Sequence, residues 1–282
     1  MSRRPARGGR GRRRGSAPAP VGAVVALSLI GVTLVGVFGA AVWQQQTRVQ
    51  IDRETLCPKA GPSALTVILV DATDGMSAVQ RTAIETRLDE VVTRLREYEE
   101  VQVYSIEAGA SLLKPDFRVC RPKSPDNVND WTGNKNLARL QFEEVFRPRL
   151  RKVLEDAMNR PASNASPIME AVQQVVVGAF QKADVGAGAG GLPKRLVIVS
   201  DMLEHGKGGS HYAGVPDFAA FRETQAYRSL KADMDGIVVE VLYLLRPEAH
   251  AVQGTTAHLN FWKAYFETDQ NARMPGAIPI EG

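Results

Sequence analysis

The stretch ALTVILV-DATDGMS, Ala64 to Ser77, decides the fold. Its first half is a continuous apolar run rich in β-branched residues. A strand buried on one face alternates apolar and polar side chains; a run without alternation is covered on both faces, as in parallel sheets. The second half opens on an acid, Asp71, and leads through small polar residues into Ala78–Tyr98. There Ile84, Leu88, Val91 and Leu95 recur at helical spacing among Arg and Glu. Strand, polar turn and helix make the first unit of an α/β fold.

The same grammar repeats downstream. VQVYSI (Val101–Ile106) reads as a second strand and Leu112–Val119 as an edge strand weakened by Pro115. Residues 121–138 form an inserted polar loop. Arg139–Met158 reads as a helix broken or kinked at Pro148. Ser163, Asn164 and Ser166 offer capping chemistry and Pro167 suits a first helical turn, so a helix follows to about Lys182. The glycines of 186–191 come after a helix and before a strand, the reverse of a phosphate loop, and read as a connector. RLVIVS (Arg195–Ser200) is another fully apolar strand, ending on Asp201. Residues 202–216 read as a loop, Asp217–Asp233 as a helix, Ile237–Leu245 as a strand and Thr256–Thr268 as a final helix. Phe261, Trp262, Tyr265 and Phe266 lie at core spacing on that helix. Strands alternating with helices imply a mostly parallel, doubly wound sheet with helices on both faces.

The N-terminal part is of another kind. Net charge is +4, yet seven arginines fall within the first fourteen residues and no acid precedes Asp52. Without those seven, 28 basic residues face 31 acidic ones, so the basicity belongs to the tail and argues for no nucleic-acid surface. Val21–Trp43 follows without a charge. As a helix it measures roughly 35 Å against about 30 Å of hydrocarbon, which suggests one transmembrane helix. The arginines would stay cytoplasmic and the remainder extracytoplasmic, periplasmic or at the cell surface. A cleaved signal peptide is the alternative, although its apolar region normally runs about 7–15 residues. The organisation expected is a basic tail (1–20), a membrane helix (21–43), a connector (44–63), an α/β domain (64–270) and a C-terminal tail (271–282). Two cysteines, Cys57 and Cys120, read as a structural disulfide if the domain is exported, or as two buried thiols.

Ligands of open parallel sheets bind beyond the C-terminal strand ends, at the switch point of the topology. Asp71 and Asp201 both stand at such ends. Carboxylate and hydroxyl oxygens suit a hard divalent cation. Asp71-Ala72-Thr73-Asp74-Gly75, then Ser166 in NASPIMEAV, then Asp201 in LVIVSDMLEH, resemble the von Willebrand factor A (vWA) domain and its metal-ion-dependent adhesion site. That family pairs a strand-end D-x-S-x-S with a Thr in a second loop and an Asp in a third. The resemblance covers about Ala64 to Leu245. It implies an interaction module for a protein partner, with Mg²⁺ or Mn²⁺ held by Asp71, Thr73, Ser166 and Asp201. Ser77 would stand in for the hydroxyl that Gly75 lacks, and Asp74, Glu204 and His205 would shape the rim.

The alternative for the hydroxyls is helix capping, at about 1 kcal/mol each. Asp71-x-Thr73 is superficially similar to the haloacid dehalogenase motif, but a threonine fills the place of its second aspartate. His205 and His211 near Asp201 and Glu204 match no zinc spacing and read as solvent-exposed loop histidines. No nucleophile elbow, Walker loop or G-x-G-x-x-G occurs, so no enzyme and no small-molecule substrate are expected. The rival reading is a metal-independent structural subunit of an envelope or export assembly, and a metal-dependent hydrolase stands third.

Overall fold

The computed structural model describes residues 21–46, 49–106, 112–128, 134–186 and 191–282. The chain divides into two compact units, Met1–Val49 and Gln50–Gly282.

In the first unit, α1 runs over Val21–Gln46. Among the described residues no helix is long and apolar enough to cross a membrane. The expectation of a helix over 21–43 is met. The arginine tail and several α1 side chains lie outside the described residues.

The second unit holds a six-stranded sheet in the order β3-β2-β1-β4-β7-β8. These are β1 (Leu65–Val70), β2 (Glu100–Ser105), β3 (Phe117–Cys120), β4 (Lys194–Ser200), β7 (Ile237–Leu244) and β8 (Arg273–Ile280). All neighbours pair in parallel except β3, which runs antiparallel to β2. The two-residue strands β5 (His205–Gly206) and β6 (Gly209–Ser210) make a separate hairpin.

The unalternating strands are covered on both faces. Leu65, Val67 and Leu69 of β1 join Leu196, Ile198 and the aromatic helix α10 (Thr256–Glu267) in one core. Ile68 and Val70 join Val197, Val199 and two further helices in the other. Those helices are α2 (Ala78–Arg94) and α4 (Arg147–Met158). Residue parity along each strand selects the core, because successive side chains point to opposite faces. The aromatic residues Phe261, Trp262, Tyr265 and Phe266 are all buried, as their spacing implies.

Several boundaries differ from the sequence reading. α2 ends at Arg94, four residues early, and Tyr98 is left-handed at φ 62°. The discontinuity expected at Pro148 is a π segment over Gln141–Phe146, between α3 (Lys135–Leu140) and α4. The wider turn ahead of the proline relieves its clash with the carbonyl four residues back. The helix expected over 217–233 is two short ones, α7 (Phe218–Arg222) and α8 (Gln225–Leu230). Thr224 caps the second through the Tyr227 amide at 3.1 Å. The next helix on the far side begins as α5 (Ile168–Val175) and continues through α6 (Gln181–Gly186). α9 (His250–Gln253) is a single turn.

Residues 271–282 are no tail, since β8 extends the sheet beyond β7. Nor are residues 44–63 only a connector. Leu56 belongs to the core of α2 and α4, and Cys57 is bonded to Cys120 of β3.

Candidate functional site at the strand C-terminal ends

Strand order reverses between β1 and β4, so the crevice expected of such sheets opens at their C-terminal ends. Asp71 follows β1 and Asp201 follows β4. Asp71 donates its amide to Val199 O at 2.9 Å, which fixes the two strand ends in register.

The Asp71 carboxylate is buried and accepts four hydrogen bonds. Oδ1 takes the Thr73 amide at 3.1 Å and the Thr73 hydroxyl at 2.7 Å. Oδ2 takes the hydroxyls of Ser166 at 2.9 Å and Ser200 at 2.8 Å. Ser166 reaches it because its segment pairs with the hairpin: the Ser166 amide donates to His205 O at 3.0 Å and the His205 amide to Ser166 O at 2.8 Å. The Ser163 amide donates to Thr73 O at 2.8 Å, tying the same loop to the first motif.

Asp201 lies beside this cluster. Its Oδ1 accepts the Leu203 amide at 3.0 Å, and Oδ2 accepts Arg246 Nε at 2.8 Å. Arg246 comes from the end of β7, so three adjacent strands each contribute a charged residue. The side chains of Arg246 and Asp201 are 9% and 3% exposed. Burial, then the charge of Asp71, push the Asp201 carboxyl up to about 7, while Arg246 and the Leu203 amide oppose the rise.

Met202, next in sequence, is left-handed at φ 60° and fully buried. A non-glycine residue costs on the order of 1 kcal/mol there and needs support. It has three points of support. Its amide donates to Ser200 Oγ at 2.8 Å, and its carbonyl accepts Trp262 Nε1 at 2.8 Å and meets His258 Nε2 at 3.0 Å. The aromatic helix therefore sets the path of the loop that carries Asp201.

The expected ligands divide. Asp71, Thr73, Ser166 and Asp201 converge. Ser77 does not join them: its Oγ accepts the Gln80 amide at 3.1 Å and so caps α2, and Gln80 Oε1 accepts the Ser77 amide at 3.2 Å. Gly75 has φ +68°, a turn conformation that favours glycine over a hydroxyl-bearing residue. Neither Ser163 nor Ser166 caps α5. That work falls to Glu204, whose Oε2 accepts the Met169 amide at 2.9 Å.

Glu204 is thus no rim residue but a fully buried one. Burial pushes its carboxyl up to about 8, with the amides of Met169 and Gly208 opposing, and its Oε1 has no hydrogen-bond partner. His211 is not a solvent-facing loop histidine either. It is fully buried, edge-on to Phe261 with ring centroids 4.8 Å apart, and its pKa is pushed down to about 4, chiefly by burial. His205 and Asp74 remain exposed at the rim, where Tyr212 donates to Asp74 Oδ2.

A divalent ion needs oxygen lone pairs that are free to turn toward it. Both Asp71 oxygens are already shared by two donors each, Ser77 is elsewhere, and Asp201 is paired to a guanidinium. As arranged, these residues do not fit such an ion. Among the described residues, the one grouping of three potential His, Cys, Asp or Glu ligands is Cys57, Glu100 and Cys120, and its two sulfurs are consumed by the disulfide.

Sequence reasoning passed over Ser200, Arg246 and Gln253. Arg246 did carry a signal, being the first charged residue after an apolar strand, as Asp71 and Asp201 are.

No family model and no curated protein matches the sequence. Solved structures do. The SpRpn10 VWA domain aligns at 8% identity over 77% of this chain and 88% of its own, with a TM-score of 0.35. The conserved hypothetical protein BatB from Bacteroides thetaiotaomicron aligns at 15% over 66% and 68%, with 0.30. Proximal thread matrix protein 1 from the mussel byssus, with a zinc-occupied MIDAS motif, aligns at 14% over 77% and 44%, with 0.36. Similarity at this level carries no argument about activity, and the strand order above stands without it.

Proposed function

We propose that this chain is a membrane-anchored, vWA-like interaction module that binds a protein partner through the loops at the strand C-terminal ends. The carrying observation is the convergence of Asp71, Thr73, Ser166 and Asp201, from three separated segments, on the switch point of a parallel sheet. Asp74, Tyr212 and His205 form the exposed rim that a partner meets. No catalysis is assigned to it, because the hydroxyls of Thr73, Ser166 and Ser200 all donate to one carboxylate and are not poised as nucleophiles.

Anchoring rests on the uncharged run Val21–Trp43 and the arginines before it. The Cys57–Cys120 disulfide fits an oxidising, extracytoplasmic compartment for the second unit. A C-terminal reporter that works only outside the cytoplasm should be active; an inactive one reverses the topology.

A photo-cross-linking residue placed at position 74 or 212 of the full-length chain in native membranes should capture a discrete partner. The same residue at position 97, after α2 and away from the strand C-terminal ends, should not. Equal capture from both places, or none at the rim, removes the reading. The rival reading, a structural subunit working without metal, is favoured by one observation, the cation that Arg246 brings to Asp201. In the alternative that the vWA resemblance carries, Mg²⁺ or Mn²⁺ would sit among the same oxygens.

A further inference from the structure

We infer that Arg246 is the resident cation of this site, a tethered guanidinium standing where the vWA resemblance calls for a divalent ion, so the module works without metal. The inference deepens the proposed function but needs no partner to be tested.

Asp71 and Asp201 end neighbouring parallel strands, and each is nearly excluded from water. Two buried carboxylates side by side require a compensating cation or a proton. Four hydrogen bonds serve Asp71, which leaves Asp201 as the group in need. Arg246 answers it at 2.8 Å from the next strand of the sheet.

The pair is built rather than incidental. Gln253 of α9 accepts the Arg246 amide at 2.7 Å and donates to Asp201 O at 3.0 Å and Leu244 O at 2.9 Å. One amide side chain thereby ties the end of β4 to the end of β7 and holds both partners in register. The hydroxyls have followed suit. Thr73 and Ser166 donate their protons to Asp71, and the Ser77 hydroxyl serves a helix terminus.

A buried pair broken by removing one partner leaves an uncompensated charge, and that deficit is what a metal ion would fill. Deleting the guanidinium should therefore create the ion site that the native chain lacks. Mn²⁺ binding followed by electron paramagnetic resonance on the purified full-length chain tests this. The wild type should bind no Mn²⁺ at the site up to millimolar concentration. Arg246→Gln should bind one equivalent at least tenfold more tightly, with a Mn²⁺-dependent rise in melting temperature. Arg246→Lys, which keeps the charge, should behave as the wild type. Asp201→Asn combined with Arg246→Gln should fold without gaining the ion.

Stoichiometric Mn²⁺ binding by the wild type overturns the inference, and so does a folded Arg246→Gln protein blind to Mn²⁺. If Arg246→Gln fails to fold with or without the ion, the wild-type titration decides alone. Failure of rim cross-linking would remove the proposed partner site and leave this result untouched.

Discussion

Replacing Glu204 by glutamine tests how the loop behind the site is held. The carboxyl is fully buried, Oε2 accepts the Met169 amide, and Oε1 has no hydrogen-bond partner. Its pKa rises from 4.5 to about 8, with burial as the chief cause. A carboxyl raised in the folded state is protonated there at neutral pH. Stability is highest below the unfolded value, falls as pH climbs from about 4.5, and levels off above about 8. At about 1.4 kcal/mol per pH unit the whole loss has a ceiling of about 5 kcal/mol, of which about 4 fall between pH 5 and 9. Relaxation around the charged form reduces this, so about 2–4 kcal/mol is the working range.

Glutamine keeps the acceptor for Met169 and cannot ionise, so its profile lacks that fall. Asp201, His211 and His258 titrate identically in both proteins and cancel in the difference. Urea denaturation of both chains from pH 5 to 9, read by the emission of buried Trp262, measures it. The variant should gain on the wild type by that amount across the range. Parallel profiles would show that Glu204 is ionised in the folded protein, and the account of its burial would fail.

The other expectations are simpler. Ser77→Ala removes a cap and should cost about 1 kcal/mol of stability while leaving rim cross-linking unchanged; lost cross-linking with unchanged stability would return Ser77 to the site. Reducing the Cys57–Cys120 bond, which closes a loop of 63 residues, should destabilise the second unit by about 4 kcal/mol by the chain-entropy relation. An unchanged urea midpoint after reduction would show that the segment around Leu56 is held by packing alone.

Much of the frame was legible in advance. Each unalternating apolar run became a strand covered on both faces, and parity along β1 divided the two cores. Asp71 and Asp201 were placed at strand ends by sequence alone, since a charge after a buried run marks where the sheet stops. β8 was missed because RMPGAIPI carries two prolines and a glycine, a poor strand by propensity. It survives as an edge strand, where only one side needs hydrogen bonds.

The fate of each hydroxyl was not legible. Ser77 and Ser166 are alike in sequence, both small polar residues just ahead of a helix. One caps its helix and the other crosses to Asp71, because the hairpin at His205 pulls its segment toward β4. Glu204 and His211 were read as surface residues for the same reason: loop composition gave no hint that the hairpin folds inward over α5.

By itself, then, the sequence determined local preference: which segments are strands or helices, and that acids end two of the strands. Those properties follow from side-chain period and chain stiffness, which act over a few residues. Only the tertiary structure decided that β7 lies beside β4 and brings Arg246 to Asp201, or that Cys57 meets Cys120. Pairings between residues far apart in the chain depend on the order in which strands join the sheet, and no short stretch of sequence encodes that order.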